Sequence, residues 1–200
     1  MSGRNGINGL YFHMGILKLP QLLLIAGNGR DSGKTTLACL IIKKFSPDHR
    51  IFALKVSPHK HRIAEGGKVI CDTEQLYITE ETDPATGKDS SRMLNAGADR
   101  SFFICCDGDI LPAAIQKILG IADEQTLMVC ESGGIRQFVE PGLFFIVDRA
   151  GSAGIKLNTQ NLMEFENIWL TFDGLHFNLN LNEIVIHHNS WKKINNHDFV

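Results

Sequence analysis

Apolar residues in this chain fall into short unbroken runs, and between several of them the spacing turns helical. Unbroken runs of this length mark strands buried on both faces, and an i, i+3, i+4 spacing marks helices packed by one side. Ile16 to Ala26 predicts a first strand, with Pro20 at or before its start. Lys34 to Phe45, with Leu37, Leu40, Ile41 and Phe45 in helical register, predicts a helix stopped by Ser46-Pro47. Further strands are predicted at Ile51–Val56, Ser101–Cys106, Thr126–Cys130 and Leu143–Val147. Helices are predicted at Ser90–Ala98, with Asp89 or Ser90 as N-cap, and at Ile110–Leu119, ending on Gly120. Val69–Ile78 predicts a short strand or hairpin inside the long polar excursion from Ser57 to Asp89. In the tail, Ile168–Phe172 and Leu175–Leu179 flank Asp173-Gly174, the strongest short-range hairpin signal in the chain, and Glu183–His187 predicts one more strand.

Strands alternating with helices predict an α/β fold, a doubly wound, mostly parallel sheet of the P-loop NTPase kind with a C-terminal β-hairpin extension. The expected organisation is a disordered or appended stretch over 1–15, a nucleotide-binding domain over 16–160 and a β extension of that same domain over 161–200. A net charge of −2 argues against bulk binding to nucleic acid or to an anionic membrane. The five cysteines sit mostly in apolar runs without C-x-x-C spacing, the usage of reduced thiols in a cytoplasmic protein.

Chemistry concentrates between the first strand and the first helix, in Gly27-Asn-Gly-Arg-Asp-Ser-Gly-Lys-Thr-Thr36. Strand, tight glycine-rich turn and helix start form a phosphate-binding loop, whose bare amides face whatever sits above them. The nucleotide-binding residues are expected to be Asn28, Gly29, Arg30, Asp31, Ser32, Gly33, Lys34, Thr35 and Thr36. Asn28 holds the first position of G-x-x-x-x-G-K-[ST], where its tolerance of positive φ lets the turn form. Lys34 is expected to neutralise the outer phosphates and Thr35 to bind Mg²⁺. A partner carboxylate is expected at a strand end: Glu131 first, Asp148 second, Asp72 less well placed. Lys34 and Glu131 are therefore the candidate catalytic residues, and Thr35 and Glu131 the candidate metal ligands.

Other positions carry less. Lys55 at a strand end is equally compatible with the ligand crevice and with solvent. His59 and His61, flanking Lys60 beside Arg62, make a solvated basic turn rather than a metal site, and His187-His188 a strand-end pair. Lys156 and Asn158 lie where a base-contacting loop is expected. No Asn-Lys-x-Asp tetrad is present to read guanine, and no residue stands out as an activator of water, so slow hydrolysis is expected.

Four stretches in order resemble the molybdopterin-guanine dinucleotide biosynthesis protein B (MobB) family: Gly29–Leu37; Leu54-Lys55 with the turn after it; Asp83 and Gly87-Lys88-Asp89-Ser90 leading to Ala96-Gly97-Ala98; and Val129–Gly133. The resemblance implies a homodimeric GTP-binding accessory protein with weak GTPase activity and Mg²⁺. It further implies molybdopterin and a MobA-type nucleotidyltransferase, which joins GMP to molybdopterin, as partners. Lys55, Asp83, Lys88 and Asp89 would then form a second-ligand site or lid. The chain departs from that family in Val56-Ser57-Pro58-His59, in an insertion between Pro84 and Gly87, and in Glu131-Ser132-Gly133-Gly134. A loop before Gly-Lys-Thr is also similar to dethiobiotin synthetase, which implies instead an ATP-dependent ligase or kinase. Lys55, Lys88 and Arg92 would then hold a small acidic substrate.

Overall fold

The apolar run ahead of the glycine-rich turn becomes the centre of the sheet. The computed structural model describes residues 15–58 and 67–194. In β1 (Leu17–Gly27) every residue from Leu22 to Ala26 is fully buried, because parallel neighbours and a layer on each face enclose it. β6 (Leu127–Glu131) and β7 (Val139–Arg149) flank it, both parallel. β2 (Ile51–Ser57) lies beyond β6, and β5 (Arg100–Cys106) beyond β2. β4 (Leu76–Glu80) and β3 (Lys68–Asp72) close that edge antiparallel, and β8 (Ile168–Phe172) closes the other in parallel. The order is β3-β4-β5-β2-β6-β1-β7-β8. From β1 the chain first moves toward β2 and only later returns to β7, so the loop after β1 opens at a topological switch point, where α/β sheets bind ligands.

Helices cover both faces. α1 (Lys34–Phe45) buries Leu37, Ala38, Ile41 and Ile42 on Leu23, Ile25 and Val129, and α2 (Asp89–Asn95) adds Met93 to that layer. α3 (Leu111–Leu119) and Leu162 of α4 (Leu157–Met163) pack on the opposite face with Leu22, Leu24, Met128 and Cys130. Among the described residues no helix is long and apolar enough to cross a membrane.

The expected α/β architecture with a C-terminal hairpin is present, but the hairpin is a different one. Asp173-Gly174 does turn the chain, with Asp173 Oδ1 accepting from the N–H groups of Leu175 and His176. The return strand over 175–179 does not form. Phe177 makes one isolated bridge to Phe172 and stacks on its ring at 4.5 Å, after which Leu179 and Leu181 turn into the α1-side core. The laddered hairpin joins β9 (Ile184–His187) to β10 (Ser190–Lys193). Its turn puts His188 and Asn189 at φ 48° and 55°, the left-handed pair that a tight hairpin with native twist demands. Other differences are smaller. β7 runs four residues earlier than the apolar run suggested, through Pro141, and α4 and β10 lack a sequence signal of their own. α2 is capped by Lys88, so Asp89 lies inside its first turn.

β10 seats the tail on the sheet through Trp191, fully buried and edge-on to Phe45 with centroids 5.1 Å apart. Close by, β1 bulges between Leu19 and Leu23, which accommodates Pro20 within a central strand. Gly142 of β7 fits there because a Cβ would come within 2.9 Å of the Trp191 carbonyl oxygen and closer still to that of Pro20. Trp191→Ala is therefore expected to cost about 3–5 kcal/mol in denaturant unfolding, as large-to-small core changes do. A loss under 1 kcal/mol would mean the hairpin is not docked.

Candidate nucleotide site

The loop after β1 is shaped by three left-handed residues, Gly29 (φ 110°), Asp31 (φ 55°) and Gly33 (φ 95°). Asn28 is not among them, so its tolerance of positive φ is not what places it there. Its buried side chain works as a bolt. Nδ2 donates to Asp148 Oδ1 at 3.0 Å and to the Gly154 carbonyl at 2.8 Å, and Oδ1 accepts from the Lys156 N–H at 2.9 Å. The loop is thereby fastened to the connection between β7 and α4. A Cβ on Gly29 would lie 2.8 Å from Lys156 Nζ, so that ammonium crosses the loop directly. A Cβ on Gly27 would lie 2.4 Å from Ser32 Oγ and 2.7 Å from Lys34 Cδ, so only glycine lets the lysine stem pass.

Gly33 caps α1 without a side-chain hydrogen bond, and no acidic residue occupies the first turn. The free amides and the positive end of the helix dipole therefore face an open bowl of about 450 Å³. Arg30, Lys34, Thr35, Lys55 and Arg92 line it with Glu131 and Asp89, while Phe172 of β8 closes the side against Gly33. Lys34 Nζ donates to the Gly29 carbonyl at 2.6 Å and to Ser32 Oγ at 3.2 Å. Burial lowers its pKa from the ordinary lysine value, against the opposing pull of Glu131.

Behind the loop runs a chain of charges. Glu131 ends β6 directly opposite Ile25 of β1 and Lys55 of β2. Thr35 Oγ1 donates to Glu131 Oε2 at 2.6 Å, and Lys55 Nζ donates to Glu131 Oε1 at 2.5 Å. The same ammonium pairs with Asp89 Oδ2 at 2.7 Å, and Arg92 stands 3.7 Å from Asp89 Oδ1. Burial alone would lower the Lys55 pKa, but Glu131 and Asp89 outweigh it and hold the value raised. For Asp89, burial pushes up and the Lys55 hydrogen bond and charge pull further down.

The remaining expected residues divide. Glu131, Lys55 and Asp89 meet at the bowl, whereas Asp148 does not line it and is held by Asn28 and by Ser152 Oγ at 2.7 Å. Asp72 is exposed on edge strand β3, far across the sheet. Asp83 caps its own turn, with Oδ1 accepting from the Ala85 N–H at 2.8 Å, and does not line the bowl. Lys88 stands at a neighbouring cavity, described below. Thr36 lines the bowl, and Asn158 is exposed on α4. His59, Lys60, His61 and Arg62 lie outside the described residues, as does the N-terminal stretch up to Met14. The rings of His187 and His188 lie 4.0 Å apart and tilted by 50°, and among the described residues no cluster of three or more His, Cys, Asp or Glu could hold a metal. Arg30, expected from the motif, lines the bowl, whereas Phe172 in β8 and the side-chain bonds of Asn28 had no sequence signal.

No family model matches the chain, and neither a curated protein nor a solved structure shows significant similarity to it.

Removing the shared ammonium exposes the cost of this arrangement. Lys55→Met leaves a carboxylate buried beside a second one, and a loss of about 3 kcal/mol is expected in urea unfolding. Adding Glu131→Gln should restore part of it; no loss in the single variant would show that the pair is not buried. The acid limb follows from Asp89. Its folded pKa is depressed, so its contribution is present above the ordinary value of 3.8 and disappears as pH falls through the folded one. Asp89→Asn should flatten the stability profile below about pH 4, read from melting temperature against pH.

Proposed function

We propose that this chain binds a Mg²⁺–nucleoside triphosphate in the bowl and turns it over slowly. In this reading it is a GTP-binding accessory protein of molybdopterin guanine dinucleotide biosynthesis. It works as a cytoplasmic homodimer beside the nucleotidyltransferase that joins GMP to molybdopterin. The observation that carries nucleotide binding is the pairing of bare α1 amides with the Thr35 hydroxyl and Glu131 carboxylate, 2.6 Å apart at the foot of the bowl. The setting in cofactor biosynthesis rests on the sequence resemblance.

The donor set fits Mg²⁺. Thr35 and Glu131 offer hard oxygens, and a protein that supplies only one or two such ligands suits an ion that otherwise takes phosphate and water. Mg²⁺ there would neutralise charge developing on the phosphates. The chain's own part is to hold them: loop amides cradle the oxygens, Lys34 meets the outer ones, and Phe172 shuts out water on one side. Asp89 is compensated by Lys55 and Arg92, which makes it a weak acceptor for a water proton, and slow turnover follows.

A second reading is a dethiobiotin-synthetase-like ATP-dependent ligase or kinase acting on a small acid. It is favoured by a second cavity that shares Arg30, Lys55 and Asp89 with the bowl.

Lys34→Ala is expected to abolish the thermal stabilisation given by Mg²⁺ with GTP or ATP, and an undiminished melting shift would sink the phosphate site. Glu131→Gln should raise the Mg²⁺ concentration needed for half the shift by about tenfold, the equivalent of one lost charge-assisted contact. Comparing GTP with ATP settles the base. Hydrolysis that accelerates only when one small acid is added would select the second reading.

A further inference from the structure

Beside the bowl lies another cavity, of about 540 Å³, on the same face of the sheet. Strand register builds its floor. Thr79 of β4 pairs with Phe103 of β5, Phe103 with Lys55 of β2, and Lys55 with Glu131 of β6. One level nearer the carboxyl ends of the parallel strands, Tyr77 pairs with Cys105 and Cys105 with Ser57. Side chains in such rows share a face, so a continuous shelf runs from Tyr77 and Phe103 to the charge chain behind the phosphate loop. α2 is only seven residues long, and the cavity is the part of the shelf its short body leaves uncovered.

The wall has a definite chemistry. Phe103 and Pro58 give it an apolar surface. Lys88 and Arg30 both line it, and neither makes an ion pair among the described residues. Lys55 is already held by Glu131 and Asp89. Glu81 is occupied too, with Oε2 accepting from Ser90 Oγ at 3.1 Å and Oε1 from the Thr82 and Asp83 N–H groups at 3.2 Å each. Two cations without an ion pair among the described residues therefore face one cavity, whose carboxylates are Asp89, paired with Lys55, and Glu81, held by neutral donors.

Tyr77 is the second, independent observation. It is 4 % exposed, it lines the cavity, and its hydroxyl has no hydrogen-bond partner among the described residues. Burial and then the Asp72 carboxylate raise the pKa of the phenol and the nearby Thr79 hydroxyl pulls it the other way, but the two hydroxyls do not reach hydrogen-bond geometry. A buried donor left unpaired costs stability, and phenylalanine would fill the same space without the cost.

We propose that this cavity is a binding site for a small organic carboxylate with an apolar body. Its charge is set between Lys88 and Arg30, its body lies on Phe103, and an acceptor atom meets the Tyr77 hydroxyl. The site deepens the second reading above, because its ligand lies against Lys55 and Asp89 at the edge of the bowl; binding itself does not require that reading. Arg92, expected from sequence to hold such an acid, lines the bowl and not this cavity.

The test uses the full chain and a fluorine-labelled library of small aromatic and aliphatic carboxylates, each with its methyl ester, read by ¹⁹F line broadening. Acids should bind and esters should not. Tyr77→Phe and Lys88→Met should each weaken the best acid about tenfold, the loss of one hydrogen bond to a charged group. Lys34→Ala should leave acid binding in place. Tyr77→Phe should melt no lower than the parent, since it removes an unpaired group. The proposal is overturned if no acid binds, if esters bind equally, if both cavity variants bind as the parent does, or if Tyr77→Phe is destabilised. Acid binding in a parent that gives no melting shift with Mg²⁺ and GTP or ATP would support this site and overturn the nucleotide reading alone.

Discussion

A single ammonium between two carboxylates holds the functional end of this molecule together. Glu131 is 2 % exposed at the end of a strand beside the central one, a position where an unpaired charge would be costly to bury. Lys55 makes it tolerable because parallel register puts the two residues directly opposite each other. That same register brings Ile25, and so the start of the glycine-rich loop, to the same level on the other side. Thr35 from α1 completes the arrangement on the remaining oxygen of Glu131. Three neighbouring strands and a helix N-terminus are therefore tied at one height by one set of charges.

Asp89 widens the consequence. Its carboxylate draws the first turn of α2 onto Lys55, which sets where the long excursion after β2 returns to the sheet. Because α2 is short, its docking divides the shelf into two basins that share a wall rather than sealing it. The chain carries a net charge of −2, yet Arg30, Lys34, Lys55 and Arg92 face the bowl against Asp31, Glu131 and Asp89. The charge that favours an anion is thus a local product of topology, invisible in the overall balance.

How far the sequence could be read follows from the range of each interaction. The strand, turn and helix around Lys34 were legible because each is encoded in neighbouring residues, and Glu131 because a charged residue closing an apolar run has few other places to go. Lys55 could be placed at the strand end but not assigned, since its partners come from β6 and α2. Asn28 was misjudged for the same reason. Its backbone was taken as its use, while its side-chain partners lie 120, 126 and 128 residues away. The tail shows local and tertiary preference in conflict. Asp173-Gly174 has the stronger turn chemistry, but the residues after it gain more by packing Leu179 and Leu181 into the core. The ladder forms instead at His188-Asn189, where Trp191 gains a buried seat.

Three buried polar atoms lack a partner among the described residues: Tyr77 Oη, Arg136 Nε and Trp191 Nε1. They are not equivalent. Arg136 is compensated in other ways, with one guanidinium nitrogen donating to the Val139 carbonyl at 3.0 Å and the plane lying 4.4 Å from the Phe165 ring centroid. Trp191 is enclosed on all sides, and the apolar area it buries outweighs one unpaired indole N–H. Tyr77 buries its ring as well, but unlike the other two it lines a cavity. Leu76 and Ile78 on the same strand turn into the opposite core, so its own ring stands on the shelf face, with the cavity as its neighbour. A donor unpaired among the described residues at the edge of a cavity is where an entering acceptor would gain most, and in the site proposed above Lys88 and Arg30 would match the charge of the entrant.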